Sequence, residues 1–71
     1  MSEQYINFFL NGEKAKIAQS SSLSMLISDL ALDPKKIAIE KDLKIINPHE
    51  FDKIIIENDC HIEIVHFIGG G

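Results

Sequence analysis

The sequence predicts an α+β fold in which one main helix packs on one face of a mixed sheet of four to five strands. Two extended segments joined by Asn11-Gly12 open the chain, an amphipathic segment follows, and an alternating apolar segment comes near its end. One helix covers one face of a small sheet, so these features favour a sheet with one buried face. At 71 residues the chain is short, and we expect residues 1–71 to form a single domain.

The first element is predicted to be a β-hairpin. Two extended segments flank Asn11-Gly12, and Asn-Gly best satisfies the positive φ angles that a type I′ turn requires at both central positions. Alternation along the first strand places Phe8 on one face, with Ile6 and Leu10, and Phe9 on the other.

The second element is predicted to be an amphipathic helix from about Leu23 to Ala31. Serines at positions 20–22 precede it, and serine is a preferred N-cap residue. Pro34 prevents the helix from continuing. The apolar residues with helical spacing i, i+3, i+4 and i+7 are Leu23, Leu26, Ile27 and Leu30.

The remaining segments complete the sheet. We predict strands at 36–40 and 43–46, one helical turn at 48–51, an extended and partly buried segment at 52–57, and a last strand from Ile62 to Ile68. The first and last strands are both long and alternate in polarity, so we expect them side by side in the centre. Ile62 and Ile64 would then face the helix.

The opposite face of the sheet is predicted to carry an apolar patch formed by Phe9, Val65 and Phe67. A patch of this kind beside the end of the last strand would suit docking to a partner. The alternative is that these residues are tolerated singly on the surface, as exposed apolar residues commonly are.

Three glycines, Gly69 to Gly71, directly follow the last predicted strand. Without a Cβ atom, an extended glycine segment can enter a slot that would exclude any side chain, and three such residues reach about 10 Å. A terminal carboxylate is ionised at neutral pH and is a poor electrophile. We therefore expect a partner enzyme to activate it, most simply as an acyl-adenylate made from ATP. The alternative is a frayed terminus.

The composition argues against several classes of function. The chain carries 11 acidic and 7 basic residues, for a formal charge of −4, and no arginine. This balance argues against binding nucleic acid or an anionic membrane surface. There is no apolar run long enough for a membrane helix and no signal-peptide pattern at the N-terminus, so we expect a cytoplasmic protein.

No metal site is expected. Cys60 is the single cysteine, which excludes an intramolecular disulfide and a cysteine-rich metal site. His61 and His66 are five residues apart, so on one strand they would point to opposite faces. Cys60 is best interpreted as a small residue at the start of a strand, not as a nucleophile.

Taken together, the hairpin, the helix and the terminal strand with its glycines resemble the β-grasp, ubiquitin-like sulfur carriers, and most closely the ThiS family. The segment 62–71 is similar to the ThiS ending, and 46–51 resembles a segment that in this family carries a proline, an acidic residue and an aromatic. Two positions depart from the pattern. Asn58-Asp59 replaces a frequent Gly-Asp, and Phe51 replaces a more usual tryptophan. Asn tolerates positive φ, so the turn is expected to persist.

The resemblance implies a carrier cycle. A ThiF-like adenylating enzyme would activate the carboxylate of Gly71 with Mg-ATP, and a persulfide from a cysteine desulfurase would replace AMP to leave a thiocarboxylate. Thiazole synthase (ThiG) would take this sulfur for the thiazole ring of thiamine. Gly69 and Gly70 would thread the enzyme's slot in a flexible tail, 69–71. The protein would be a co-substrate with no bound cofactor, not an enzyme.

Other functions remain open from the sequence. One is a carrier of the same fold, the MoaD-like small subunit of molybdopterin synthase, although short length and the Val-x-Phe-Ile-Gly-Gly-Gly ending favour ThiS. Another is a ubiquitin-like modifier joined to lysines of target proteins. A third is a plain interaction domain without chemistry at its terminus.

Overall fold

The computed structural model describes residues 4–67, which form a five-stranded mixed sheet with one α-helix packed on one face. The elements are β1 (Tyr5–Leu10), β2 (Glu13–Ala18), α1 (Leu23–Asp29), β3 (Ile37–Lys41), β4 (Lys44–Ile45) and β5 (His61–His66), with 3₁₀ turns at Pro34–Lys36 and Pro48–Glu50.

The strands follow the order β2-β1-β5-β3-β4 across the sheet. β1 and β5 pair in parallel at the centre and the other pairs are antiparallel. The predicted fold class and the central pairing of the first and last strands are therefore confirmed.

Both hairpins turn through two residues with positive φ. Asn11 and Gly12 join β1 to β2 with φ angles of 50° and 83°, as the Asn-Gly signal predicts. Asp42 and Leu43 join β3 to β4 with φ angles of 50° and 73°. Leucine at such a position is unfavourable because its Cβ approaches the following carbonyl oxygen. The second turn therefore forms in spite of its local sequence.

The strained turn leads to a stability prediction. We expect Leu43→Asn to raise the free energy of unfolding by about 0.5 kcal/mol, because asparagine tolerates left-handed backbone better than leucine does. Leu43 is 86% exposed, so the change removes little packing. Urea denaturation would measure the difference. A loss of stability would show that the exposed side chain makes a favourable contact within the fold.

Helix α1 begins at Leu23, as predicted, and ends at Asp29, two residues before the predicted end at Ala31. The Ser22 hydroxyl oxygen accepts a hydrogen bond from the Met25 N–H at 3.2 Å, which caps the first turn. At the other end, Ala31 adopts a φ of 57°. The N–H groups of residues 31 and 32 then donate to the carbonyls of residues 28 and 27, in the pattern of a Schellman motif. The helix thus stops before Pro34 is reached.

The core lies between α1 and the covered face of the sheet. Phe8, Leu23, Ile39 and Ile62 are among its fully buried side chains, so each large apolar residue contributes to a modest core. Phe51 is also buried, so the aromatic residue of segment 46–51 packs into the core. Within residues 4–67, the buried apolar residues are Phe8, Ile17, Leu23, Leu26, Ile27, Ile37, Ile39, Phe51, Ile56, Cys60, Ile62 and Ile64.

The apolar segment 52–57 closes one end of the core without joining the sheet. Its first two residues belong to a turn, and Ile55 forms one isolated bridge with Ser22. The Leu23 N–H donates to the Ile54 carbonyl at 3.0 Å, and the Ile56 N–H donates to the Ser21 carbonyl at 2.8 Å. The segment is therefore extended from about Ile54, held against the start of α1.

No helix within residues 4–67 combines the length and apolar character that crossing a lipid bilayer would require.

Candidate functional site

The chain leaves the sheet at the end of β5. The Phe67 N–H donates to the Lys36 carbonyl at 2.9 Å, which holds the backbone beside the start of β3. Four residues follow in the sequence and reach at most about 14 Å from this point. The predicted reactive residue, Gly71, and the predicted tail-recognition residues, Gly69 and Gly70, lie outside the described residues. The structure fixes the position of Phe67, the last of the described residues.

The three residues of the predicted docking patch lie on the face of the sheet away from the helix, but Phe9 is not adjacent to the other two. Val65 and Phe67 are 57% and 62% exposed at the end of β5. Phe9 pairs with His61 at the start of β5, and the two rings stack with centroids 4.6 Å apart. His61 precedes Val65 by four residues along the strand, which is about 13 Å. Val65 and Phe67 thus lie near the tail, and Phe9 lies apart from them. Their role in docking stays a prediction.

An apolar groove of about 510 Å³ lies next to Phe67. It runs along the β3–β4 edge of the sheet, and Ile45, which is 78% exposed, stands at its rim. We call it the edge groove. Its lining residues are Pro34, Lys35, Ile37, Ala38, Ile45, Ile46, Pro48, Phe51 and Phe67. No local sequence pattern indicates this groove, because its walls come from four separate segments of the chain.

The edge groove includes a wall that local hydrogen bonds hold in place. The Asn47 side-chain oxygen accepts from the His49 N–H at 2.9 Å, which fixes the 3₁₀ turn that begins at Pro48. Phe51 follows this turn and is buried in the core. The segment that resembles the ThiS family, 46–51, therefore forms a rigid side of the groove.

A second concavity, of about 530 Å³, lies at the opposite end of β5, between the two hairpin turns. Its polar side chains already stabilise the strand. The Asn11 side-chain oxygen accepts from the Ile64 N–H at 2.8 Å, and the Asp42 carboxylate accepts from the His61 N–H at 2.9 Å. This concavity is similar in volume to the edge groove, but it lies at the opposite end of β5 from Phe67.

Comparison with known proteins identifies the family. The model of the ThiS family matches residues 4–71, almost the whole chain and all three glycines. The chain belongs to the ThiS family.

Relatives of this ThiS family member include segments of longer proteins. The thiazole synthases of Magnetococcus marinus and Paramagnetospirillum magneticum are 34% and 32% identical over 62 residues, which is 87% of this chain. The chain spans only 19% of the length of either relative. The uncharacterized protein ycf40 of Trieres chinensis is 31% identical over 64 residues, covering 90% of this chain and 88% of that protein.

Solved structures show the same fold. The crystal structure of the thiamine biosynthesis protein ThiS from Geobacter metallireducens superposes with a TM-score of 0.80. It is 23% identical in sequence, and the match covers 93% of this chain and 100% of that one. A solution structure of a thiamine biosynthesis protein from the same organism gives a TM-score of 0.77. The β-grasp fold implied by the family resemblance is thus confirmed.

The turn at Asn58-Asp59, which departs from the ThiS pattern, is present, but the residue with positive φ is not the one predicted. Asp59, not Asn58, adopts the positive φ, at 68°. The Asn58 side-chain oxygen instead accepts from the Asn7 N–H at 3.1 Å, and the Asp59 N–H donates to the Asn7 carbonyl at 2.7 Å. The expectation that asparagine supplies the left-handed residue was wrong, since its side chain is used to fasten the turn to β1.

Two titratable groups are perturbed near the start of β5. The ammonium of Lys41 donates a hydrogen bond to the Glu57 carboxylate at 3.0 Å, and it lies 3.7 Å from the Asp42 carboxylate. The bond to Glu57 is the main cause that raises the pKa of Lys41. Burial raises the pKa of the Cys60 thiol, which makes this cysteine a poor nucleophile. Within residues 4–67, no three His, Cys, Asp or Glu side chains converge to hold a metal ion.

Proposed function

We propose that this ThiS family member is a sulfur carrier of thiamine biosynthesis. A ThiF-like enzyme adenylates the carboxylate of Gly71 with Mg-ATP and releases pyrophosphate. The terminal sulfur of a cysteine desulfurase persulfide then displaces AMP to give an acyl disulfide, and a thiol reductant cleaves its S–S bond to leave the thiocarboxylate. Thiazole synthase then takes this sulfur. The protein is a recycled co-substrate in this cycle, and the chemistry is supplied by its partner enzymes.

The main support for the proposal is that the family match includes the last three glycines. These glycines follow shortly after the end of β5 at His66. The described surface beside Phe67 is mostly apolar, which suits contact with a partner protein. Val65 and Phe67 provide exposed apolar area at the base of the tail. The predicted docking patch also contains Phe9, which lies about 13 Å away along β5.

The relatives favour thiazole synthase as the acceptor of the sulfur. Two proteins named thiazole synthase contain a segment similar to this chain, as about a fifth of their length. Placing a carrier-like segment in the same chain as a synthase raises its effective concentration at the site that would use it. A separate carrier would perform the same delivery by binding reversibly.

Intact mass spectrometry tests the proposal. After incubation with ATP, a ThiF-like enzyme, a cysteine desulfurase and cysteine, we expect a mass gain equal to one oxygen replaced by sulfur, confined to the C-terminal peptide. Adding thiazole synthase and its other substrates should return the mass to its initial value.

A control with a known carrier shows that the enzymes are active. No mass gain under those conditions would reject the sulfur-carrier proposal. Conjugates joined to lysines of other proteins through an isopeptide bond would instead support a ubiquitin-like modifier.

A further inference from the structure

We infer that the edge groove receives an apolar side chain of the adenylating enzyme, with Ile45 as a principal contact and a carboxylate of that enzyme beside Lys35. This inference rests on the proposed function and specifies where the partner binds. It also places the contact at the β3–β4 edge of the sheet, away from Phe9.

The length of the tail restricts where the enzyme can lie. Four residues separate Phe67 from the end of the sequence, and they reach at most about 14 Å when fully extended. An enzyme that holds the Gly71 carboxylate in its active site therefore covers the surface around Phe67. Phe67 is itself a lining residue of the edge groove, so the groove falls within the covered area.

The side chains on the face of the sheet away from the helix favour contact with the enzyme near β4. Glu40 and Glu63 are opposite each other on β3 and β5, on the face away from the helix. This acidic pair lies between the Phe9–His61 stack and Val65 along β5, and like charges in such positions repel. Apolar surface continues from Val65 through its partner Ala38 to the edge groove, whereas Glu63 interrupts it towards Phe9. Glu40 also lies beside the groove, as the cross-strand partner of Ile45.

The composition of the edge groove specifies the chemistry of its occupant. Of the described residues that line it, Lys35 alone carries a charge, and the rest are apolar or proline. Ile45 is 78% exposed beside the groove. An apolar side chain would bury this surface, and a neighbouring carboxylate would pair with the Lys35 ammonium at the rim.

The chain offers a matched pair of substitutions to test the inference. Ile45 and Leu43 lie on the same hairpin and are both highly exposed, but only Ile45 lines the edge groove. We expect Ile45→Asn to lower the kcat/KM for adenylation by a ThiF-like enzyme about tenfold or more, mainly through KM. Leu43→Asn should stay within about twofold of the wild type, since single exposed side chains outside an interface contribute little.

Two further variants test the contributions of side-chain shape and of charge separately. Ile45→Thr keeps the β-branched form that suits a strand, and it should reduce kcat/KM in the same direction by a smaller factor. Lys35→Glu should reduce kcat/KM as well, and the loss should shrink at high ionic strength because salt screens surface charges. Circular dichroism and urea midpoints would establish that each variant is folded.

The outcomes distinguish the docking inference from the function on which it rests. If the wild type gains sulfur while both Ile45 variants are adenylated at the wild-type kcat/KM, the edge groove is not the docking site and the carrier proposal stands. Equal impairment of Leu43→Asn and Ile45→Asn would also overturn the inference. A wild type that gains no sulfur would overturn both.

Discussion

Replacing Gly70 with valine is expected to abolish the ATP-dependent conversion of the Gly71 carboxylate, with a loss of about 100-fold or more. The expectation follows from the proposed function, in which the tail threads a slot that fits only glycine. A β-branched side chain next to the reactive residue would clash with the walls of such a slot and displace the carboxylate from the adenylating centre. Intact mass spectrometry and pyrophosphate release would measure the loss.

Folding should be unaffected by this substitution, because Gly70 follows the last strand and contributes no side chain to the core. Gly70→Ala provides a graded control, and we expect a smaller loss since one methyl group obstructs a slot less than an isopropyl group does. If Gly70→Val were adenylated at the normal rate, recognition of the tail by a narrow slot would be wrong, although Gly71 could still be the reactive residue.

The second large effect concerns the central strand. We expect Ile62→Ala to lower the free energy of unfolding by about 2–5 kcal/mol, because it leaves a cavity between β5 and the helix. Ile62 is fully buried, at 0% exposure. Small domains have only about 0.05–0.15 kcal/mol of stability per residue. The loss is therefore a large fraction of the roughly 4–11 kcal/mol expected for a chain of 71 residues, and the variant should unfold at a much lower urea concentration than the wild type.

Val65→Ala is the matched control for this effect. Val65 lies three residues further along β5 on the opposite face and is 57% exposed, so its truncation should change the free energy of unfolding by about 0.5 kcal/mol or less. Urea denaturation of both variants would test the assignment of faces. Similar losses from the two substitutions would contradict the placement of Ile62 in the core and of Val65 outside it.

Where a local chemical requirement determined the structure, the sequence was a reliable guide. Asn11-Gly12 predicted the first hairpin because few other pairs accept positive φ at both positions. Alternation in the last strand predicted that Ile62 and Ile64 are buried and Val65 is exposed. The glycines and the strand before them carried the family resemblance, which the family match confirmed.

Backbone conformations that oppose residue preferences were not predictable from local patterns. The predicted strands on either side require a turn after β3, but no residue preference signals that Leu43 adopts left-handed backbone within it. Helix α1 ends at a Schellman motif with alanine where glycine is usual, so the boundary was predicted two residues late.

The arrangement of the candidate site could be predicted only with knowledge of the register between strands. The separation of Phe9 from Val65 follows from the pairing of Phe9 with His61, which neither strand specifies alone. The edge groove brings together the start of β3, β4, the turn after Asn47 and the residue after β5. Its members are spread from Pro34 to Phe67, and only the assembled sheet shows that they form one surface.

In the proposed carrier cycle, the burial of Cys60 protects the activated Gly71 carboxylate from attack by a thiol of the same molecule. An acyl-adenylate is open to attack by an exposed thiolate of the same molecule, which would divert it into an unproductive thioester. Cys60 is only 5% exposed, and its raised pKa keeps it in the unreactive thiol form at neutral pH. It also precedes β5, whose length of six residues, about 20 Å, exceeds the roughly 14 Å that the tail can reach. The single thiol of the chain is thus kept away from the cargo by both burial and distance.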